Sequence, residues 1–411
     1  MGENWSIEHC DVTKDRFNNP TPGFQLSFWE MYYDRYLHQD NYLPSRVDIL
    51  STPRLLNLLI NRLRRRGINY DSFDSDVQEY LDAYMKKNYD AESRDYFQKF
   101  QPYDEMVVFM KKAVSRCNGR CHLFTIGQSY EGRLLIGIKI GTSKHHKNNN
   151  NTRKRIWIDA GIHAREWISH TTALYLAEML ISGYTQDKFI RHMVDNYDWY
   201  ILPCLNPDGY NYTWTTDRLW RKTRHLDTKS GCLGTDLNRN FDFKWGCSSN
   251  YRGSRPYSDP ESRALVDFIK SSVRKGTWLL FITLHSKGQL VLSPWGYTSV
   301  KPAGYPQLEQ VGKALTDAMS VRHNNKYRFG SAARVLYHSS GTSRDWAHGV
   351  AGIPYVYTIE LRGKINDNWL ISPSNIIPNG EEMWAGVQAA IRTIERLSHI
   401  MDDGSEVVTK L

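Results

Sequence analysis

The sequence predicts an α/β protein: a mixed, mostly parallel twisted sheet flanked by helices, preceded by a small α+β unit. Three observations lead there. Four short runs, 156–160, 199–202, 279–284 and 355–359, are largely apolar on both faces, as strands buried in a parallel sheet are. Helical patterns at 171–182, 261–273, 306–319 and 381–397 alternate with them. Ahead of these, residues 24–90 carry their own strand and helix signals and end where the apolar period is lost. With 411 residues, 40% hydrophobic and 24% charged, the chain has enough apolar surface for one large domain and a smaller one.

Taken in order, 1–23 match no element. Residues 24–29 alternate as a strand does and 46–50 form another. Ser51-Thr52-Pro53 opens a helix whose apolar stripe is Leu55, Leu56, Leu59, Ile60 and Leu63, and Gly67 ends it. A second helix covers 76–88 and closes near Lys86 and Lys87. The mostly polar 91–100, with Arg94 exposed, reads as the link to a main domain over 101–400, and 401–411 is a tail. Asn148 to Asn151 is a loop.

Several classes are excluded. No run approaches the roughly 20 apolar residues of a membrane span. The first ten residues lack a basic start and an apolar stretch, so no signal peptide is visible, although Met1, Gly2 and Ser6 fit the loose myristoylation pattern. The net charge of +9 is spread along the chain, which describes a solvated surface rather than a nucleic-acid footprint. Six cysteines are too few for a disulfide scaffold. Cys117 with Cys121, and Cys232 with Cys247, are plausible bridges that leave Cys10 and Cys204 over.

The four buried runs each lead into a chemically capable residue: His163, Asn206, His285 and Glu360. Binding crevices of open α/β sheets lie at the carboxyl ends of the strands, so all four are expected at one site. His163 and Glu166 form H-x-x-E, which lets an imidazole and a carboxylate reach one metal from a single turn. With His285 they make a two-histidine, one-carboxylate set that leaves a zinc ion an open position.

The longer strings narrow the reading. Gly161-Ile162-His163-Ala164-Arg165-Glu166-Trp167, Asn206-Pro207-Asp208-Gly209-Tyr210, the segment 214–224, Asp236-Leu237-Asn238-Arg239-Asn240-Phe241, Thr283-Leu284-His285-Ser286, and the segments 337–346 and 358–362 occur in that order. Together they resemble the successive motifs of zinc metallocarboxypeptidases of the pancreatic A/B type, over about 103–397. That resemblance implies an enzyme that releases single C-terminal amino acids from peptides and proteins. It implies one zinc held by His163, Glu166 and His285, with Asp236 behind His163, Glu360 as general base, and Arg221 on the scissile carbonyl. Asn238, Arg239 and Tyr337 would grip the terminal carboxylate, and Arg165 would meet the substrate further from its end. Residues 24–90 resemble part of the family's inhibitory propeptide, its first strand and helix missing. The resemblance thus also implies an activating trypsin-like protease cutting near Lys86, Lys87 or Arg94, and a secreted enzyme, with sequons at Asn4, Asn150 and Asn211.

The departure that matters for specificity is Arg344. Relatives that take apolar ends have an apolar residue at that position, and those that take basic ends an acidic one. A cation there resembles carboxypeptidase O and implies acidic C-terminal residues, unless Arg344 pairs internally, with Asp345 for example, and leaves an apolar-end enzyme. Lys287 would add positive potential outside the terminal subsite, and Ala332 and Ala333 would leave room. A non-catalytic zinc or peptide-binding protein on the same fold is the rival from another class; it would show a lost ligand, Glu360 or Arg221, and none is lost.

Overall fold

A computed structural model describes residues 27–33, 44–50, 53–70, 77–89, 95–142, 153–246, 248, 250–271, 277–363 and 369–408. Arg94, Cys10, Cys247, the 148–151 loop and the sequons at Asn4 and Asn150 lie outside them.

The leading unit pairs β1 (Ser27–Tyr33) with β2 (Pro44–Leu50) antiparallel, followed by α1 (Pro53–Arg65) and α2 (Val77–Tyr89). Gly67, just past α1, has φ +64, the left-handed conformation that glycine adopts without strain at a helix end. The main body opens with α3 (Tyr103–Arg116), β3 (Cys121–Gln128), β4 (Leu134–Ile140), β5 (Lys154–Ala160), α4 (Trp167–Gly183), α5 (Lys188–Asn196), β6 (Tyr197–Leu202) and α6 (Pro207–Thr215). After two short strands, β7 (Leu226–Asp227) and β8 (Cys232–Leu233), come α7 (Pro260–Ser271), β9 (Trp278–His285), β10 (Leu290–Ser293), α8 (Tyr305–Arg322), β11 (Arg328–Ser331) and α9 (Ala332–Val335). The chain closes with α10 (Ser343–Gly349), β12 (Tyr355–Glu360) and α11 (Ile376–Val408).

Eight strands form the main sheet in the order β11-β10-β12-β9-β5-β6-β4-β3. Its centre, β12-β9-β5-β6, is parallel throughout and consists of the four runs that the sequence marks as buried on both faces. Antiparallel pairing appears at β10 with β12 and at β6, β4 and β3. Alternation along β5 splits the core into two layers. Ile156, Ile158 and Ala160 join the layer that contains Trp167 and Leu174 of α4, Leu315 of α8 and Ile391 of α11. Trp157 joins the other, with Leu265 of α7 and Trp346 of α10.

Two details differ from the sequence reading. Phe97 and Phe100, in the segment read as a polar link, are buried in the main core, because these aromatics outweigh their polar neighbours. Helix α4 begins at Trp167 rather than near 171, directly after the metal-type motif. The bridge Cys117–Cys121 is formed, Cys232 is disulfide-bonded, and Cys204 is a buried free thiol.

Candidate active site and metal centre

The parallel register brings the chemistry to one edge of the sheet. Glu360, the last residue of β12, is directly opposite His285, the last of β9, and Leu284 is opposite Ala160, the last of β5. The turn from β5 to α4 then carries His163 and Glu166. It starts at Gly161, with φ +67, where a Cβ would lie 2.0 Å from the His170 ring, so only glycine fits.

Three side chains converge there. His163 Nδ1 lies 2.8 Å from Glu166 Oε1, His285 Nδ1 lies 3.1 Å from Glu166 Oε2, and the two Nδ1 atoms are 3.1 Å apart. All three residues are buried. Two ligands about 2.1 Å from one zinc at tetrahedral angles stand about 3.4 Å apart, and these spacings, a few tenths of an ångström shorter, are close enough for a shared cation. Two imidazole nitrogens and a carboxylate aimed at one point also form the donor set zinc favours. The triad can therefore hold a metal ion.

The electrostatics of the triad follow from its burial and from its own charges. Burial, reinforced by the Arg221 charge, lowers the pKa of His163, keeping it neutral as a ligand must be. Burial opposes ionisation of Glu166, but His163 and His285 outweigh it and hold the carboxyl below its usual range. Burial works against the charged form of His285 too, and Glu166 reverses it, leaving a net rise. Behind the triad, Asp236 Oδ1 lies 3.2 Å from His163 Nε2. Burial raises the Asp236 pKa, yet Arg221 and Arg239 more than compensate and hold it well below the carboxylate range.

Glu360 ends β12 opposite His285 of the triad. Burial pushes its pKa up to about 7, against the pull of His285, Arg221 and Arg344. The Arg221 Nε and Nη2 both donate to Asp236 Oδ2 at 3.1 Å, and Asn250 Nδ2 reaches the same oxygen at 2.7 Å. Arg239 Nη2 approaches the Tyr337 hydroxyl at 3.4 Å, and Asn238 Nδ2 lies 3.5 Å from His285 Nε2. Arg165 lies over the Trp369 ring at 3.5 Å, and burial brings its pKa down to about 9. Lys287 Nζ is 4.8 Å from the same ring.

Arg344 is buried in α10, one of its first residues. Its Nε donates to Asp345 Oδ1 at 3.0 Å and its Nη1 approaches Thr358 Oγ1 at 3.5 Å. Nη2 is buried with no hydrogen-bond partner among the described residues, and it occupies the space a Cβ on Gly296 would take, 2.2 Å away.

Asn206 does not join the triad. Its Oδ1 caps α6 by accepting from Gly209 N at 3.0 Å, and its Nδ2 donates to Lys222 O, bracing the segment that carries Arg221. The capping preference of asparagine ahead of a proline could have revealed this. Sequence reading missed Trp369 and Gly296, whose contacts with Arg165 and Arg344 arise only between distant segments. Arg218 is a further residue of this region: its guanidinium stacks 3.8 Å over Trp167 and donates to Arg165 O and Trp369 O.

The zinc carboxypeptidase family pattern matches residues 106–386. Human carboxypeptidase O is 36% identical over 364 residues, covering 86% of this chain and 91% of that protein. Rat carboxypeptidase A2 is 35% identical over 345 residues, 81% of this chain and 80% of that one. Among solved structures, carboxypeptidase A from Helicoverpa armigera superposes with a TM-score of 0.75 at 27% identity, covering 86% of this chain and 89% of that one. Shared sequence over most of both chains, on the same mixed sheet and with the histidine–glutamate–histidine triad in place, makes the conclusion direct: the chain belongs to the zinc carboxypeptidase family and is a metallocarboxypeptidase, a hydrolytic exopeptidase.

Proposed function

We propose that this carboxypeptidase prefers peptides and proteins that end in glutamate or aspartate. The observation that carries the reading is the Arg344 guanidinium, buried, with Nη2 unpartnered and Nη1 only weakly engaged. A buried charged donor without a partner is costly, and a substrate carboxylate would satisfy it. The 3.0 Å contact with Asp345 favours the rival, a neutralised pocket that takes apolar ends. The free Nη edge argues against it.

In this reading zinc is held by His163, Glu166 and His285 and supplies a Lewis acid that polarises the scissile carbonyl and activates water. Asp236 accepts the Nε2 proton of His163, fixing the tautomer that presents Nδ1. Arg239 and Tyr337, with Asn238, bind the terminal carboxylate, and the fork of the arginine explains why a chain end is required. Arg221 donates to the carbonyl oxygen as negative charge develops on it. Glu360 takes a proton from the attacking water and passes it to the departing amine nitrogen. Arg165 receives the peptide further from its end. We also propose secretion, supported by the Cys117–Cys121 bridge, and release from latency by a trypsin-like protease.

Catalytic efficiency on otherwise identical peptides ending in Glu, Leu, Phe and Lys tests the specificity. A charge-assisted bond of about 1.5–3 kcal/mol predicts roughly ten- to hundredfold preference for Glu over Leu, with Lys rejected. A wild type that favours Leu or Phe sinks the proposal. Chelation should abolish turnover on every peptide; unchanged turnover with zinc shown absent would sink the metal assignment.

A further inference from the structure

We propose that Asp345 is the positioning residue of the terminal pocket: it takes the Nε of Arg344 and so turns both Nη groups toward the side chain of the residue to be released. This rests on the acid-preferring reading above. An arginine side chain has many rotamers, and a charge alone does not fix where its fork points. Here the fork is fixed at three places. Asp345 Oδ1 holds Nε at 3.0 Å, Thr358 Oγ1 sits 3.5 Å from Nη1, and Nη2 fills the space left by the missing side chain of Gly296.

Asp345 is itself fixed. Its Oδ2 accepts from Gly296 N at 2.8 Å and Tyr297 N at 3.2 Å, its Oδ1 lies 3.1 Å from Gly296 N, and its own N–H donates to Thr342 Oγ1 at 3.3 Å. It is 1% exposed. Three N–H groups converge on it, those of Gly296, Tyr297 and Arg344 Nε, with Gly296 N shared between its two oxygens. Neither Nη1 nor Nη2 bonds to it, so the pair does not close on itself as a bidentate fork does. Its geometry leaves the outer edge of the guanidinium for a second carboxylate, and the same contact that looks like neutralisation becomes an aiming device.

The test is the isosteric variant Asp345→Asn, with kcat and KM measured on peptides ending in Glu and in Leu. The Glu-ended substrate should lose about tenfold in kcat/KM, mostly through KM, while the Leu-ended one stays within about threefold. In an Arg344→Met background, Asp345→Asn should leave the Glu/Leu ratio unchanged. Equal losses on both substrates would show that Asp345 only ties α10 to the 296–297 turn, and would overturn the proposal. Should Asp345→Asn fail to accumulate, Arg344→Lys reads the same point: it retains the charge but has no Nε donor, so the ratio should fall about tenfold, and an unchanged ratio overturns the proposal. A wild type that favours Leu over Glu fails the acid-preferring reading itself, whereas a preference that survives Asp345→Asn fails only the positioning role.

Discussion

Glu360 shows how one residue is tuned by its neighbours. Burial alone would keep it protonated at neutral pH, and the cations around it pull it back to about 7. A general base works deprotonated, so activity should fall as pH drops through its pKa, and a bound dication beside it lowers that pKa further. The acid limb of kcat/KM should therefore lie at or below about pH 7; a limb well above 7 would remove Glu360 from the role of base. Glu360→Gln should reduce turnover by at least about a hundredfold on every substrate while metal content, measured by atomic absorption, stays at the wild-type level.

At the scale of elements, the β3–β4 turn is docked through buried acids. Asp208, at the start of α6, accepts from Ser129 Oγ, Glu131 N and Arg133 Nη1, and Glu261, at the start of α7, accepts from Tyr130 N at 2.9 Å. Burial, with Asp259 and Asp208 adding like charge, pushes Glu261 up to about 8. A carboxyl whose pKa is higher folded than unfolded contributes stability that is fully present below the unfolded pKa, near 4.5, and lost as pH rises through 8. Glu261→Gln keeps the acceptor and removes the titration. It should be close to neutral at pH 5 and raise stability by ~1–3 kcal/mol at pH 8, read from urea midpoints. Equal effects at both pH values would rule out titration as the cause.

The central strands were legible in the sequence because burial on both faces writes an unbroken apolar run, as in 156–160 and 279–284. The triad was legible because His163 and Glu166 share one turn and His285 ends a strand. Strands β3 and β4 escaped because burial along them is uneven, and α5 because nine residues hold little more than two turns of pattern. The surroundings of Arg344 escaped for a different reason: Gly296 and Thr358 reach it only through the fold, and no spacing along the chain records that meeting.

For the whole molecule, α2 is tied to the body on two sides. The Tyr84 hydroxyl donates to Ile371 O at 3.0 Å, and its ring lies 6.2 Å from that of Trp167. Buried Asn88 accepts from Phe100 N at 2.8 Å and donates to Phe100 O at 3.2 Å. A cut between α2 and residue 95 leaves these contacts intact, so the severed N-terminal piece should co-elute with the body in gel filtration. Asn88→Ala strips a buried backbone N–H of its partner, a loss of ~1–3 kcal/mol, and should hasten release by at least about fivefold. Immediate separation of the wild-type pieces would show that α2 does not hold them together.

The opposed placement of Glu360 and His285 on neighbouring parallel strands has an evolutionary consequence. Their separation is set by the main-chain pitch of the sheet, about 4.8 Å, rather than by any loop. Arg344, by contrast, belongs to a short helix that can be rewritten without moving either strand. On the role proposed for Arg344, selection or a protein engineer could exchange the residue type that is trimmed while the hydrolytic apparatus stays in place, by a few substitutions in α10 and the turn at Gly296.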